Sequence, residues 1–170
     1  MNKKSKKIRV ILLSIACVVL LSIVGLMATV KYHRSLYAVN GSAMSPALNS
    51  GETVKVSPYK KGSVPQRGDI VVFDQKGEEG TTRLIKRVVA LPRERITISG
   101  GKVTIFNKSY PTGFNPDAYY LKDQTTTLGN NDVTIPGNQF YVLGDNRVVS
   151  LDSRIFGPIA LESIIGKVNR

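Results

Sequence analysis

Lys86 lies in Leu84-Ile85-Lys86-Arg87-Val88-Val89, a cation set among branched aliphatic residues. A free lysine has a pKa near 10.4, and burial among such neighbours disfavours its ammonium form. An amine kept neutral in this way can take a proton from a hydroxyl, which is the chemistry of a serine–lysine dyad. Strand alternation places Lys86 on the face opposite Ile85 and Arg87. The same string also describes an ordinary strand with one solvated lysine, and residue types alone do not separate the two. A second group of candidate residues comes later, in Gly144-Asp145-Asn146-Arg147-Val148-Val149-Ser150-Leu151-Asp152-Ser153-Arg154-Ile155-Phe156-Gly157. Asp145-Asn146 is turn chemistry. Asp152 and Arg154, with Ser150 and Ser153 beside them, can form a charge-assisted network. The plain alternative for this run is an elaborate turn.

A third segment, Gly41-Ser42-Ala43-Met44-Ser45-Pro46-Ala47-Leu48, precedes both, and Arg67-Gly68-Asp69-Ile70-Val71-Val72-Phe73 lies between. In identity and order these four segments resemble the type I signal peptidases, which cleave signal peptides with a Ser-Lys dyad. The likeness extends over nearly the whole chain, and the compact size is similar to that of the shorter Gram-positive members. The resemblance implies that the residue directly before the Met is the nucleophile, which is Ala43 here. It further implies Lys86 as the base and Ser150 as the serine that orients it. Asp152 and Arg154 then stiffen the site, supported by Asp145, Asn146 and Ser153. Ser42, Met44 and Pro46 would border the oxyanion hole or the substrate groove. No metal and no cofactor is implied.

A methyl group cannot attack a carbonyl, so the neighbouring serines need weighing. Ser42 points to the opposite face of an extended segment from Ala43. Ser45 shares the parity of Ala43 but lies about 6–7 Å along the strand, whereas acyl transfer needs reacting atoms near 3–3.5 Å. Two further departures from the family pattern accompany Ala43. Ala47 stands where the family usually has Thr, and Arg93-Glu94 where it usually has Gly-Asp. Departures clustered around two active-site segments favour natural drift after loss of catalysis over one engineered change in an active parent.

The elements that must position these residues read mostly as short strands. Thr53–Val56, Asp69–Phe73, Leu84–Leu91, Arg95–Ser99, Lys102–Phe106, Gln139–Leu143 and Ile164–Val168 carry strand residues. Gly100-Gly101 marks a hairpin between two of them. Residues 107–135 are polar and read as a loop or small cap. No segment after residue 34 keeps a helical period, so the expected fold is an all-β ectodomain, of the signal-peptidase-like β type, behind one N-terminal transmembrane helix. That helix is the uncharged run Val10–Val30, preceded by Lys3, Lys4, Lys6, Lys7 and Arg9. Its length suits a bilayer, and its basic flank predicts a cytoplasmic N-terminus. The expected organisation is a cytoplasmic basic segment (1–9), a transmembrane signal anchor (10–30) and an extracytoplasmic domain (35–170) in the cell membrane.

Of the 24 basic side chains, seven fall in residues 1–34, leaving 17 against 12 acidic ones in the remainder. That mild, dispersed excess lacks the concentrated basic face of a nucleic-acid binder. Membrane lipid is the partner expected for the N-terminal charge. Cys17, the only cysteine, lies in the apolar run and allows no intrachain disulfide. His33 reads as a solvated interfacial residue. The leading functional expectation is a catalytically disabled signal-peptidase homologue that binds an extended peptide or secreted precursor. Pilin is a plausible client, since some Gram-positive members lacking the dyad assist pilus assembly. The alternatives are an active signal peptidase, an alanine mutant of one, or a structural scaffold.

Overall fold

A computed structural model describes residues 3–121 and 126–169 and divides the chain into two compact units between Leu36 and Tyr37. In the first unit, α1 runs from Lys3 to Arg34. Its sequence is rich in Leu, Ile and Val and contains no proline, so nothing interrupts the helical hydrogen bonds. Leu12–Thr29 is long and apolar enough to cross a membrane, and these residues are exposed. Two hydroxyls on this stretch are satisfied within the helix, Ser22 donating to Val18 O (2.9 Å) and Thr29 to Leu26 O (2.8 Å). A segment in lipid requires such internal satisfaction.

From Leu36 onward the chain is built of strands. They are β1 (Leu36–Ala38), β2 (Thr53–Ser57), β3 (Ile70–Gly77), β4 (Gly80–Ala90), β5 (Arg95–Ser99), β6 (Lys102–Phe106), β7 (Asn131–Thr134), β8 (Gln139–Leu143), β9 (Ile159–Ala160) and β10 (Ile164–Asn169). Seven form one sheet in the order β1-β2-β10-β3-β4-β8-β9, and the other three a sheet in the order β6-β5-β7. The helices α2 (Asp117–Tyr120) and α3 (Ser153–Phe156) are single turns. The fold is therefore mostly β with one long N-terminal apolar helix, the class read from the sequence.

The β5–β6 hairpin turns at Gly100-Gly101, both at positive φ (57° and 78°), a backbone that side chains resist and glycine does not. Residues 107–135 hold more order than their polarity suggests. They contain α2 and β7, while 122–125 lie outside the described residues. β7 offers a single aliphatic residue, Val133, and owes its place to pairing with β5, where Arg95 also grips Asp132.

β4 matters most for the site. Its first half, Gly80–Arg83, is exposed, while Lys86–Ala90 is buried. β3 pairs with it from Gly80 to Arg87, but β8 joins the other edge only from Arg87 onward. The backbone of β4 before Arg87 thus keeps one unpaired edge. Below it, Val39, Met44, Leu48, Val54, Val56, Ile70, Val72 and Val168 form one apolar cluster, with Tyr37, Ala47 and Ile85 packed against it.

Candidate active site

A cavity of about 290 Å³ opens beside that unpaired edge. One wall is Tyr37, Ala38, Val39, Asn40, Gly41, Ala43 and Met44; the other is Arg83, Leu84, Ile85 and Lys86, with Val72 between them. β1 ends the sheet, so its outer edge is unpaired as well. The cavity is a slot between β4 on one side and β1 with the segment after it on the other. Residues 41–48 bend and turn, with the Ser45 amide donating to Ser42 O (3.1 Å), where the sequence suggested an extended stretch around Ala43. The unpaired edges of β1 and β4 leave backbone groups available to a third strand.

Lys86 is only 4% exposed. Burial pushes its pKa below the ordinary lysine value, partly opposed by the negative charge of Asp152. Its Nζ donates to the Ile85 carbonyl (3.1 Å). Ala43 is half-buried on the same cavity. The Ala43 carbonyl accepts from the Asn146 amide (3.0 Å), which ties this segment to the 144–154 run.

Gly144 packs directly against both partners. A Cβ there would lie 2.1 Å from Ser150 Oγ and 2.5 Å from the Ala43 carbonyl oxygen. Only glycine allows this approach. Ser150 Oγ is buried and has no hydrogen-bond partner among the described residues. It makes no hydrogen bond to Lys86, so the structure brings Ala43, Gly144 and Ser150 together without closing a serine–lysine contact.

Asp152 organises the floor. Its carboxylate accepts from the Gly144 amide (3.0 Å) and from Arg154 Nε (2.8 Å) and Nη2 (2.9 Å). Arg154 also donates to the carbonyls of Leu128 (3.0 Å), Arg147 (2.7 Å) and Ser150 (3.2 Å), tying the stretch at Leu128 to the 147–150 turn through one guanidinium. Ser153 Oγ accepts from the Val142 amide (3.0 Å), pinning the turn to β8. Asp145 is not only a turn residue. It is buried and takes Arg87 in a two-point ion pair, with Nε–Oδ1 at 2.7 Å, and Arg87 also donates to Gly68 O (2.8 Å).

Met44 is buried on the cavity, but Ser42 and Pro46 are exposed and lie outside its lining. Ser45 Oγ faces Asn49 Oδ1 (3.4 Å). Among the described residues, no serine lines the cavity. The other departures are accommodated differently. Arg93 adopts φ 67°, a left-handed backbone that costs a side-chain-bearing residue about 1–2 kcal/mol. Glu94 is buried, accepting from the Leu91 amide (2.8 Å), Asn107 Nδ2 (2.8 Å) and Arg67.

Sequence reasoning missed Arg87, Arg147 and Gly144. Arg147 is 1% exposed; it holds the Gly144 carbonyl (2.9 Å) and reaches Asp117 and Thr127 (both 2.6 Å). Asp145 read as a turn residue, and its burial, which demands a cation, is evident only in the fold, so the sequence did not point to Arg87. Asp117 and Thr127 sit in a stretch without pattern and gave no signal.

The sequence profile of the family described as "Signal peptidase, peptidase S26" matches residues 8–170. Signal peptidase IB of Staphylococcus aureus is 31% identical over 165 residues, covering 89% of this chain and 81% of that protein. Signal peptidase I V of Bacillus subtilis (strain 168) is 32% identical over 141 residues, covering 78% of this chain and 82% of that protein. A crystal structure of a signal peptidase I from Enterococcus faecalis V583 aligns with a TM-score of 0.48 at 24% identity, over 66% of this chain and 100% of that one.

Proposed function

The chain belongs to the signal peptidase family, peptidase S26, and on that premise we propose that it binds secreted precursors without cleaving them. The observation that carries this reading is the combination at the slot. A buried lysine and two unpaired strand edges border it, while the position beside Met44 is an alanine and no serine lines the wall among the described residues. An extended chain can enter such a slot by adding itself as a strand, with main-chain hydrogen bonds supplying affinity and the cavity reading alternate side chains. Lys86 would occupy the base position and Ser150 the position that orients it. Asp145, Asn146, Asp152, Ser153 and Arg154 would hold the floor, and the Ala43 amide would face the scissile carbonyl. The acyl transfer that these parts surround lacks its attacking oxygen.

The client class is the signal-peptide-bearing precursor. Pilus subunits are the client we favour, following the Gram-positive relatives that lack the dyad. The protein is membrane-anchored by α1. Its basic flank at residues 3–9 assigns the N-terminus to the cytoplasm and residues 35–170 to the outer side. Titrating the reconstituted full chain with a synthetic precursor segment tests the reading. Saturable binding without cleavage is expected, and Ala38→Trp, at the exposed rim of the slot, should abolish it. Binding that Ala38→Trp leaves unchanged would remove the slot from the account.

A further inference from the structure

Tyr37 and Arg83 stand on strands that are not neighbours, since β2, β10 and β3 separate β1 from β4 in the sheet. They nevertheless meet. The Arg83 guanidinium carbon lies 5.5 Å from the centre of the Tyr37 ring, so the sheet curls far enough for its edge strand to reach β4. Arg83 is fixed from its other side by Asp74, its register partner on β3. Nε–Oδ1 is 2.8 Å and Nη2–Oδ2 is 3.0 Å. A two-point pair of this kind holds the guanidinium plane in one orientation and leaves its face to the ring. Both residues line the slot, and so do Ala43 and Lys86, three positions further along β4.

We infer that the Arg83–Tyr37 contact is an end-stop of the slot. This rests on the peptide-binding reading above and adds a length rule to it. A chain laid along the unpaired edge of β4 from Lys86 covers about 10 Å, or three residues, before it meets the guanidinium. It must leave the slot there, and residues beyond that point gain no strand pairing. Charge is not the operative property. The Arg83 cation is already matched by Asp74, and its side chain is half exposed, where solvent screens attraction for an acidic ligand.

The test uses the full chain in nanodiscs and fluorescent peptides with an Ala-Lys-Ala core. One series is lengthened residue by residue at the amino end, the other at the carboxyl end. In the parent, one series should stop gaining affinity after about three added residues. In Arg83→Ala and Tyr37→Ala that series should keep tightening, about fivefold for each strand hydrogen bond added. Arg83→Lys, which keeps the charge but loses the fork, should follow Arg83→Ala, and Tyr37→Phe should follow the parent. Far-ultraviolet dichroism and a denaturant midpoint matching the parent's show that each variant is folded. The end-stop is overturned if the plateau falls at the same length in Arg83→Ala, or if Arg83→Lys keeps the parent's plateau. If no peptide of any length binds the parent, the peptide-binding reading fails first and the end-stop with it.

Discussion

Gly144→Ala should damage the site although it adds a single methyl group. Gly144 does not have a positive φ, so alanine meets no backbone strain there, and an ordinary Gly-to-Ala change would stabilise by about 0.4–1 kcal/mol through the unfolded chain. Packing reverses the sign. The new Cβ would sit 2.1 Å from Ser150 Oγ, 2.5 Å from Ser150 Cβ and 2.5 Å from the Ala43 carbonyl oxygen, each more than about 1 Å inside normal contact. Ser150 Oγ can rotate away, but its Cβ and the carbonyl are tied to backbone. Overpacking of this kind costs about 1–3 kcal/mol, and losing the Asn146–Ala43 hydrogen bond adds about 1. The net expectation is a destabilisation of about 1–3.5 kcal/mol. Denaturant titration of the full chain in detergent measures it, followed by near-ultraviolet tyrosine dichroism because the chain has no tryptophan. Gly144→Ala combined with Ser150→Gly should recover about half the loss, since the carbonyl overlap remains. A Gly144→Ala variant as stable as the parent would refute the close approach of these three residues.

Arg93→Gly should stabilise the domain by about 0.5–1 kcal/mol in the same titration, the relief of a left-handed backbone less the added freedom of the unfolded chain. Lys86→Met should raise stability at neutral pH and flatten its pH dependence. The folded lysine has a pKa below the ordinary 10.5. The unfolded chain therefore binds the extra proton between the two values, and the parent gains stability as pH rises from the folded pKa towards 10.5. Melting temperatures of parent and variant from pH 7 upward check the slope.

Much of this architecture was legible in the chain. The aliphatic string around Lys86, the alternation of β2, and the Gly-Gly turn between β5 and β6 each constrain local structure by short-range rules. The uncharged run that becomes α1 is equally plain. What stayed hidden depends on tertiary pairing. β1 and β9 have three and two residues, too few for any period, and β7 is polar. Arg87 and Asp145 are 58 positions apart, so nothing local says which acid meets which base. The contact that brings Tyr37 to Arg83 depends on how far the sheet curls, which residue types do not encode. Gly144 carried no signal of its own, because its crowding comes from Ser150 across the turn and from the distant Ala43 carbonyl.

The central claim is that the scaffold of a signal peptidase stands here with its attacking oxygen missing. The most direct measurement compares the chain as it is with Ala43→Ser, each reconstituted in lipid, on a synthetic signal-peptide precursor. The account predicts no cleavage by the alanine form. It predicts cleavage by Ala43→Ser that rises with pH as Lys86 is deprotonated, and that falls by several orders of magnitude when Lys86→Ala is added. Cleavage by the alanine form that is lost on Lys86→Ala would contradict it, because another hydroxyl would then be doing the work assigned to the missing serine.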